Sequence, residues 1–185
     1  MVNTRLTWIC HGATMASRKA LFPLDEPLED KAAEEAGRMA APPRADRVST
    51  SPALRARQTA EALRLEARID QALRDCDHGR WAGRSITAVE ADEPENLMAW
   101  MSDPEAAPHG GESLIDLSTR VAGWMDNESS LGGHVIAVSH AAVIRAAVAH
   151  VLQAPLPSFW LSDVEPLAVI HMTSNGRRWS LRFPH

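Results

Sequence analysis

Two histidines in this chain each stand where an apolar run stops: His11 follows LTWIC, and His140 follows HVIAVS. Arg55 lies four residues after Ser51 in SPALRARQTA, and Asp75 lies in the polar stretch RDCDHGRWAG. Singly, each reads as an ordinary structural residue. Together they supply what phosphoryl transfer through a phosphohistidine requires: a neutral imidazole nucleophile, cationic donors for the phosphoryl oxygens, and an acid for the leaving oxygen. Zinc is the competing chemistry, with His11, His140 and Asp75 as ligands. Arg55 in the same crevice would repel a dication, and no His-x-x-x-His spacing is present, so neither a metal nor another cofactor is expected. A serine hydrolase ranks lower still, because the chain has no G-x-S-x-G elbow.

These four groups meet only if the fold carries them to one edge. Leu6, Thr7, Trp8 and Ile9 are strand formers and Gly12 permits a sharp turn, so His11 is expected at the carboxyl end of a first strand. In an open α/β sheet that end holds the ligand, since the strand loops form a crevice there and helices point their amino termini into it. Residues 15 to 30, with Arg18, Lys19, Pro23 and Pro27, read as a loop. Glu29 to Ala41 reads as a helix ended by Pro42 and Pro43, and Asp46 to Ser51 as a short second strand. Ser51 reads as the N-cap, and Pro52 as the first residue, of a helix running to about Leu65. Arg55 would lean back over the free N–H groups of that first turn and add its charge to the helix dipole, which makes an anion site.

Ile69 to Leu73 is a candidate third strand, followed by a site loop over Arg74 to Gly83. Residues 84 to 111 hold two short amphipathic pieces separated by Pro94, a cap-like insertion over the sheet edge. Ser113 and Asp116 have capping-box spacing, and Leu114, Leu117, Val121 and Trp124 form a helical stripe, so Ser113 to Asn127 is a core-facing helix. His134 to Ser139 is a buried strand, and Ala141 to Leu152 continues from His140 as a helix. Leu167 to Thr173 and Arg178 to Phe183 pair as a hairpin around Asn175 and Gly176.

The 185 residues suit one domain spanning 1–185, and a net charge of −5 gives no basic footprint for nucleic acid or an anionic membrane. Two cysteines, Cys10 and Cys76, make no disulfide framework, and the apolar run at the start is too short for a signal peptide or a membrane span. The predicted compartment is a reducing cytoplasm. A homodimer is left open as the assembly.

LTWICHGAT, SPALRARQTA at 51 to 60, LRDCDHGRWAG at 73 to 83, GGES at 110 to 113 and VSHAAVIRA at 138 to 146 resemble, in this order, the motifs of the histidine phosphatase superfamily, phosphoglycerate-mutase-like branch. SPALRARQTA is the most specific of them. The resemblance implies a three-layer α/β/α sandwich, with a mostly parallel sheet here followed by the C-terminal hairpin. It implies His11 as the phosphorylated nucleophile, Arg55, His140 and Gly12 as the phosphate-binding groups, Asp75 and His140 beside the reacting atoms, no metal, and a small phosphorylated metabolite as substrate. Residues 15 to 27 and 84 to 111 would line the mouth and select that substrate.

Four positions depart from the family pattern: Cys10 for the arginine before the nucleophile, Ala13 for a glutamate, Asp75 for the glutamate acid, and Ala141 for a glycine. Removing one charged donor from a transition-state oxyanion costs about 10²- to 10³-fold in rate, so a replacement is needed. Arg18, Arg80 and Arg145 are the candidates, with Arg80 favoured because it shares a loop with Asp75. Asp77 is the competing acid, and His78 is a further pocket candidate in the same loop. The rival reading is a relative that binds a phosphorylated or anionic ligand without turning it over; mutase activity ranks last. Cys10 is expected to fill core space, and the sharper alternative is a disulfide with Cys76 that makes the pocket redox-sensitive.

Overall fold

The computed structural model describes residues 3–40 and 42–183. In chain order the elements are β1 (Thr4–Cys10), α1 (Met15–Arg18), α2 (Asp30–Arg38), β2 (Arg47–Thr50), α3 (Leu54–Ala62), β3 (Arg68–Ile69), α4 (Ile86–Asp92), α5 (Pro94–Ser102), α6 (Leu114–Leu131), β4 (Gly133–Ser139), α7 (Ala141–Leu152), β5 (Val169–Ser174) and β6 (Trp179–Arg182). The strands form one sheet in the order β3-β2-β4-β1-β5-β6. The first four are parallel, and β5 and β6 run antiparallel.

The apolar runs around the two histidines become the two central strands, where both edges and both faces must be covered. Alternation along them then defines two cores. Leu6, Trp8 and Cys10 of β1, with Val135 and Ala137 of β4, pack against Leu117, Val121 and Trp124 of α6 and Ile144 and Ala147 of α7. On the opposite face Ile9, Ile136 and Val138 meet Ala36 of α2 and Ala56 and Ala60 of α3. Helices on both faces of the sheet give the three layers. Register does the positioning: Thr4 pairs with Gly133 and Cys10 with Ser139, so β1 and β4 end level and deliver His11 and His140 side by side.

Local chemistry moves several expected boundaries. Residues 15–18 are helical, not loop, because Thr14 and Ser17 form a reciprocal capping box. α2 ends at Arg38, with Met39 already extended; Ala41, the expected last residue, lies outside the described residues. The helix expected from Ser51 and Pro52 starts at Leu54 and ends at Ala62. Ser51 is still bonded to the sheet through its N–H to the Val138 carbonyl, 2.9 Å. The expected strand Ile69 to Leu73 is only Arg68–Ile69, since Asp70 accepts the Ala72 N–H and turns the chain into a 3-10 segment, Gln71–Leu73. α6 runs one turn past Asn127 and stops at Gly132, whose φ of 70° suits glycine.

Residues 84–111 carry α4 and α5 as the two expected pieces. Phe22, Trp81, Val89 and Leu97 form a small core of their own, with Trp100 packed against it. Among the described residues no helix is long and apolar enough to cross a membrane.

Candidate active site

At the level ends of β1 and β4 the His11 and His140 rings lie edge to face, centroids 5.1 Å apart. His11 Nδ1 is 2.7 Å from the Gly12 carbonyl oxygen. A carbonyl only accepts, so Nδ1 carries the hydrogen and Nε2 presents its lone pair to the crevice. Burial lowers the His11 pKa from its ordinary value, the Gly12 bond opposes this, and the Arg55 charge adds to the lowering. The imidazole is therefore neutral at neutral pH, as a nucleophile must be.

Gly12 has a different part from the expected one. Its N–H donates to Thr59 Oγ1 at 3.0 Å, and that hydroxyl donates to the Arg55 carbonyl. A side chain at Gly12 would press on Ala32 and Leu28, with Cβ atoms 3.2 Å from each. Gly12 thus lets the chain at His11 pack closely on Leu28 and Ala32, and its N–H is occupied by Thr59.

Arg55 is 2% exposed. Its Nη1 donates to the Leu24 carbonyl and its Nη2 to Asp75 Oδ2, both at 2.7 Å, while Nε has no partner. The anion position expected at the start of α3 is filled from within the chain: Asp25 accepts the Leu54 N–H and Ser51 Oγ accepts the Ala53 N–H. The free helix start in the site is that of α7. His140 is its N-cap, and no side chain caps it.

His140 is 1% exposed, with Nε2 at 2.7 Å from Ser51 Oγ and Nδ1 at 3.3 Å from Asp75 Oδ2. Burial pushes its pKa down to about 3. Ser51 was legible only as a helix cap; its contact with His140 depends on the β2–β4 pairing and has no local signal. Burial works against ionising Asp75, but His140 and Arg55 outweigh it and hold the carboxyl well below its ordinary value. Since His140 is itself neutral, the Arg55 guanidinium is the cation that does this at neutral pH.

Asp75, and not Asp77, stands between Arg55 and His140. Asp77 is exposed and shapes the loop, its carboxylate accepting the Gly79 N–H and its carbonyl the Glu112 N–H. The loop is held from three sides. Ser139 Oγ donates to the Leu73 carbonyl at 2.9 Å. Arg120 forks onto buried Glu112 at 2.8 and 2.6 Å and donates to the carbonyls of Ala72 and Arg74. Gly111 lies so close that a Cβ there would be 2.0 Å from the Asp77 carbonyl oxygen. Glu112 was visible only as part of GGES; its pairing with Arg120 gives that motif a physical role.

The remaining candidates fall on the rim or in the core. His78 is half-buried against Phe22, centroids 4.9 Å apart, and near Trp100. Arg80 is engaged by Glu93 and the Pro108 carbonyl, with its guanidinium 5.9 Å from the Trp81 ring, so the favoured replacement for a position-10 arginine serves the cap instead. Arg18 pairs with Glu29 on the surface. Arg145 donates to Asp163 at 2.9 Å and has an unpartnered, buried Nε. Cys10 and Cys76 are free and buried. Burial, then Asp75, pushes the Cys10 thiol up to about 12, and burial raises Cys76 as well. Both are packed thiols, and neither is in a disulfide. Among the described residues no group of three His, Cys, Asp or Glu side chains is arranged to hold a metal ion.

Comparison with known proteins identifies the family. Residues 6–184 match the family model of the histidine phosphatase superfamily, branch 1. Phosphoserine phosphatase 1 of Hydrogenobacter thermophilus is 32% identical over 124 residues, covering 64% of this chain and 59% of that protein. Glucosyl-3-phosphoglycerate phosphatase of Mycobacterium tuberculosis is 34% identical over 109 residues, covering 54% and 49%. The matched stretch thus spans only about half to three fifths of these relatives' length. A crystal structure described as a putative alpha-ribazole-5'-P phosphatase from Escherichia coli superimposes with a TM-score of 0.86 at 26% identity, covering 97% of this chain and 94% of that one.

Proposed function

The chain belongs to the histidine phosphatase superfamily, branch 1, and from that premise we propose that it hydrolyses a small phosphomonoester through a phosphohistidine on His11. One observation carries the reading: the Gly12 carbonyl pins Nδ1–H of a neutral imidazole, leaving Nε2 unprotonated on a ring that lies edge to face with the second histidine. Nε2 attacks phosphorus, an N–P bond forms, and the P–O ester bond breaks with its electron pair leaving on the ester oxygen. That oxygen takes a proton. Water then attacks phosphorus, the N–P bond breaks, and inorganic phosphate and free His11 are released.

Asp75 is the group nearest this chemistry that can carry the proton. At rest it is a carboxylate paired with Arg55. When phosphoryl oxygens draw the guanidinium, Asp75 loses its cation and its proton affinity rises, so a proton arriving with the substrate monoanion is kept and passed to the leaving oxygen. His140, held by Ser51, directs Nδ1 at the same position. The uncapped start of α7 favours the developing anion.

The relatives named above act on phosphoserine and glucosyl-3-phosphoglycerate, whose common element is a phosphomonoester on a small polar carbon skeleton. His78, whose charge acts on Asp75, is the rim residue nearest this chemistry, and it packs on Phe22 and Trp100. The test is to quench the enzyme during turnover and map the phosphoryl group by mass spectrometry. An acid-labile phosphate on His11, absent from His11→Ala, supports the reading; turnover with no such adduct and an unaffected His11→Ala rate contradicts it.

A further inference from the structure

Cations and anions around the proposed reaction centre do not balance. Among the described residues Arg55 is the guanidinium whose charge acts on both histidines and on Asp75, and two carboxylates already face it, Asp75 at 2.7 Å and Glu26 at 3.9 Å. His11 and His140 are neutral. A phosphoryl group carrying up to two further negative charges therefore enters a site with no cation in excess, an arrangement that disfavours both binding and the transition state.

Three arginines outside the centre could supply a second cation. Arg80 is committed to Glu93 and a backbone carbonyl, and Arg18 is over half exposed and paired with Glu29. Arg145 differs in three ways. It stands on α7 four residues after Ala141, on the same helix face, and helical side chains lean back toward the amino terminus, here the end beside His140. Its Nε is buried without any hydrogen-bond partner, and its guanidinium lies 5.8 Å from the Phe159 ring, which holds it in place. Among the described residues it pairs with one acid, Asp163, whose side chain is 96% exposed, so that pair is weak and easily exchanged. Phe159, the ring it lies on, belongs to the same core as Cys10 at the end of β1, and the Arg145 charge acts on the Cys10 thiol.

We propose that Arg145 is the second phosphate-binding guanidinium of this site, approaching from α7 where a small thiol at position 10 leaves β1 without one, and exchanging Asp163 for the phosphoryl oxygens. The inference rests on the phosphoryl-transfer reading for its consequence, but its binding arm can be read separately. Cys10 and Arg145 are then complementary: the short side chain closes the core and the long one reaches over it.

The experiment compares wild type, Arg145→Gln, Arg145→Lys and Asp163→Asn in hydrolysis of p-nitrophenyl phosphate, inhibition by orthovanadate and calorimetric binding of inorganic phosphate, with circular dichroism to establish folding. Arg145→Gln is expected to lower kcat about 10²-fold and to weaken vanadate inhibition, with Arg145→Lys between it and wild type. Asp163→Asn removes the competing acid from a fully exposed position, and is expected to tighten phosphate binding by about two- to fivefold. A folded Arg145→Gln with unchanged kcat and unchanged vanadate inhibition overturns the proposal. If Arg145→Gln does not fold, Asp163→Asn decides: tighter binding supports it, and equal or weaker binding overturns it. If the wild type shows no His11-dependent turnover, the phosphatase reading fails and phosphate binding alone decides. Binding lost in Arg145→Gln sustains the guanidinium assignment, while binding that is unchanged, or absent from the wild type, overturns it.

Discussion

At the scale of single residues, the site works through orientation more than through reach. Ser51 holds His140 by one 2.7 Å contact on Nε2. Ser51→Ala removes that contact without changing charge, and kcat is expected to fall about tenfold or more with KM little changed; a raised KM with kcat unchanged would mean the hydroxyl serves binding only. Cys10 is 2% exposed in a core with Leu73 and Cys76. Cys10→Arg therefore overpacks a filled space and adds a charge beside Arg145, and a lower melting temperature with no gain in kcat is expected. The pH profile follows from two groups with opposite requirements. His11 must be neutral to attack, and burial lowers its pKa from the ordinary value, which favours the neutral ring. Asp75 must hold a proton, and its lowered pKa withholds one at neutral pH until the substrate arrives. kcat/KM should peak on the acid side of neutrality, and an optimum above about pH 8 would contradict the assignment of the acid. His11, Arg55, Asp75 and His140 were legible in the sequence as residue types at strand and helix ends. Ser51, Thr59 and Glu112 were not, because what makes them matter is a partner 47 to 89 residues away for the first two and a buried arginine for the third.

At the scale of elements, β1, β4, α6 and α7 were legible because uninterrupted apolar runs and a helical stripe leave few alternatives. The start of α3 was not. Ser51 and Pro52 carry the signature of a helix opening, yet Ser51 remains bonded to β4, and Asp25 from a loop 29 residues earlier takes the helix N–H. Tertiary partners override the local signal there. The loop carrying Asp75 depends on a similar long-range hold, the fork of Arg120 onto Glu112, whose side chains are 11% and 7% exposed. Glu112→Ala leaves a buried guanidinium without its acid, and a loss of about 3 kcal/mol in unfolding free energy is expected from denaturant titration. Activity should fall further than stability alone explains, since Asp75 loses its placement; full activity in a folded Glu112→Ala would show that the loop is fixed by other contacts. Gly111→Ala gives an independent check, because its Cβ would overlap the Asp77 carbonyl and push the same loop outward.

At the scale of the whole molecule, a core that keeps its histidines neutral is sensitive to acid. His140 is lowered to about 3 and His109 to about 4, from an ordinary value of 6.5 in each case, with burial as the largest cause for both. Above pH 6.5 these rings are neutral whether the chain is folded or not, so the stability they allow is fully present. As pH falls below that value the unfolded chain binds protons that the folded chain refuses, and stability is lost down to the folded values. His140 alone contributes about 1 kcal/mol per pH unit over this window. The urea midpoint should therefore drop between neutral pH and about pH 5.5, and a flat response would mean that these rings open to solvent. The parallel register of β1 and β4 brings the two histidines together. The central claim is that His11 is the nucleophile, and the initial rate of p-nitrophenyl phosphate hydrolysis by wild type and by folded His11→Ala tests it most directly. A fall of about 10³-fold or more is predicted, and equal rates in the two proteins would contradict it.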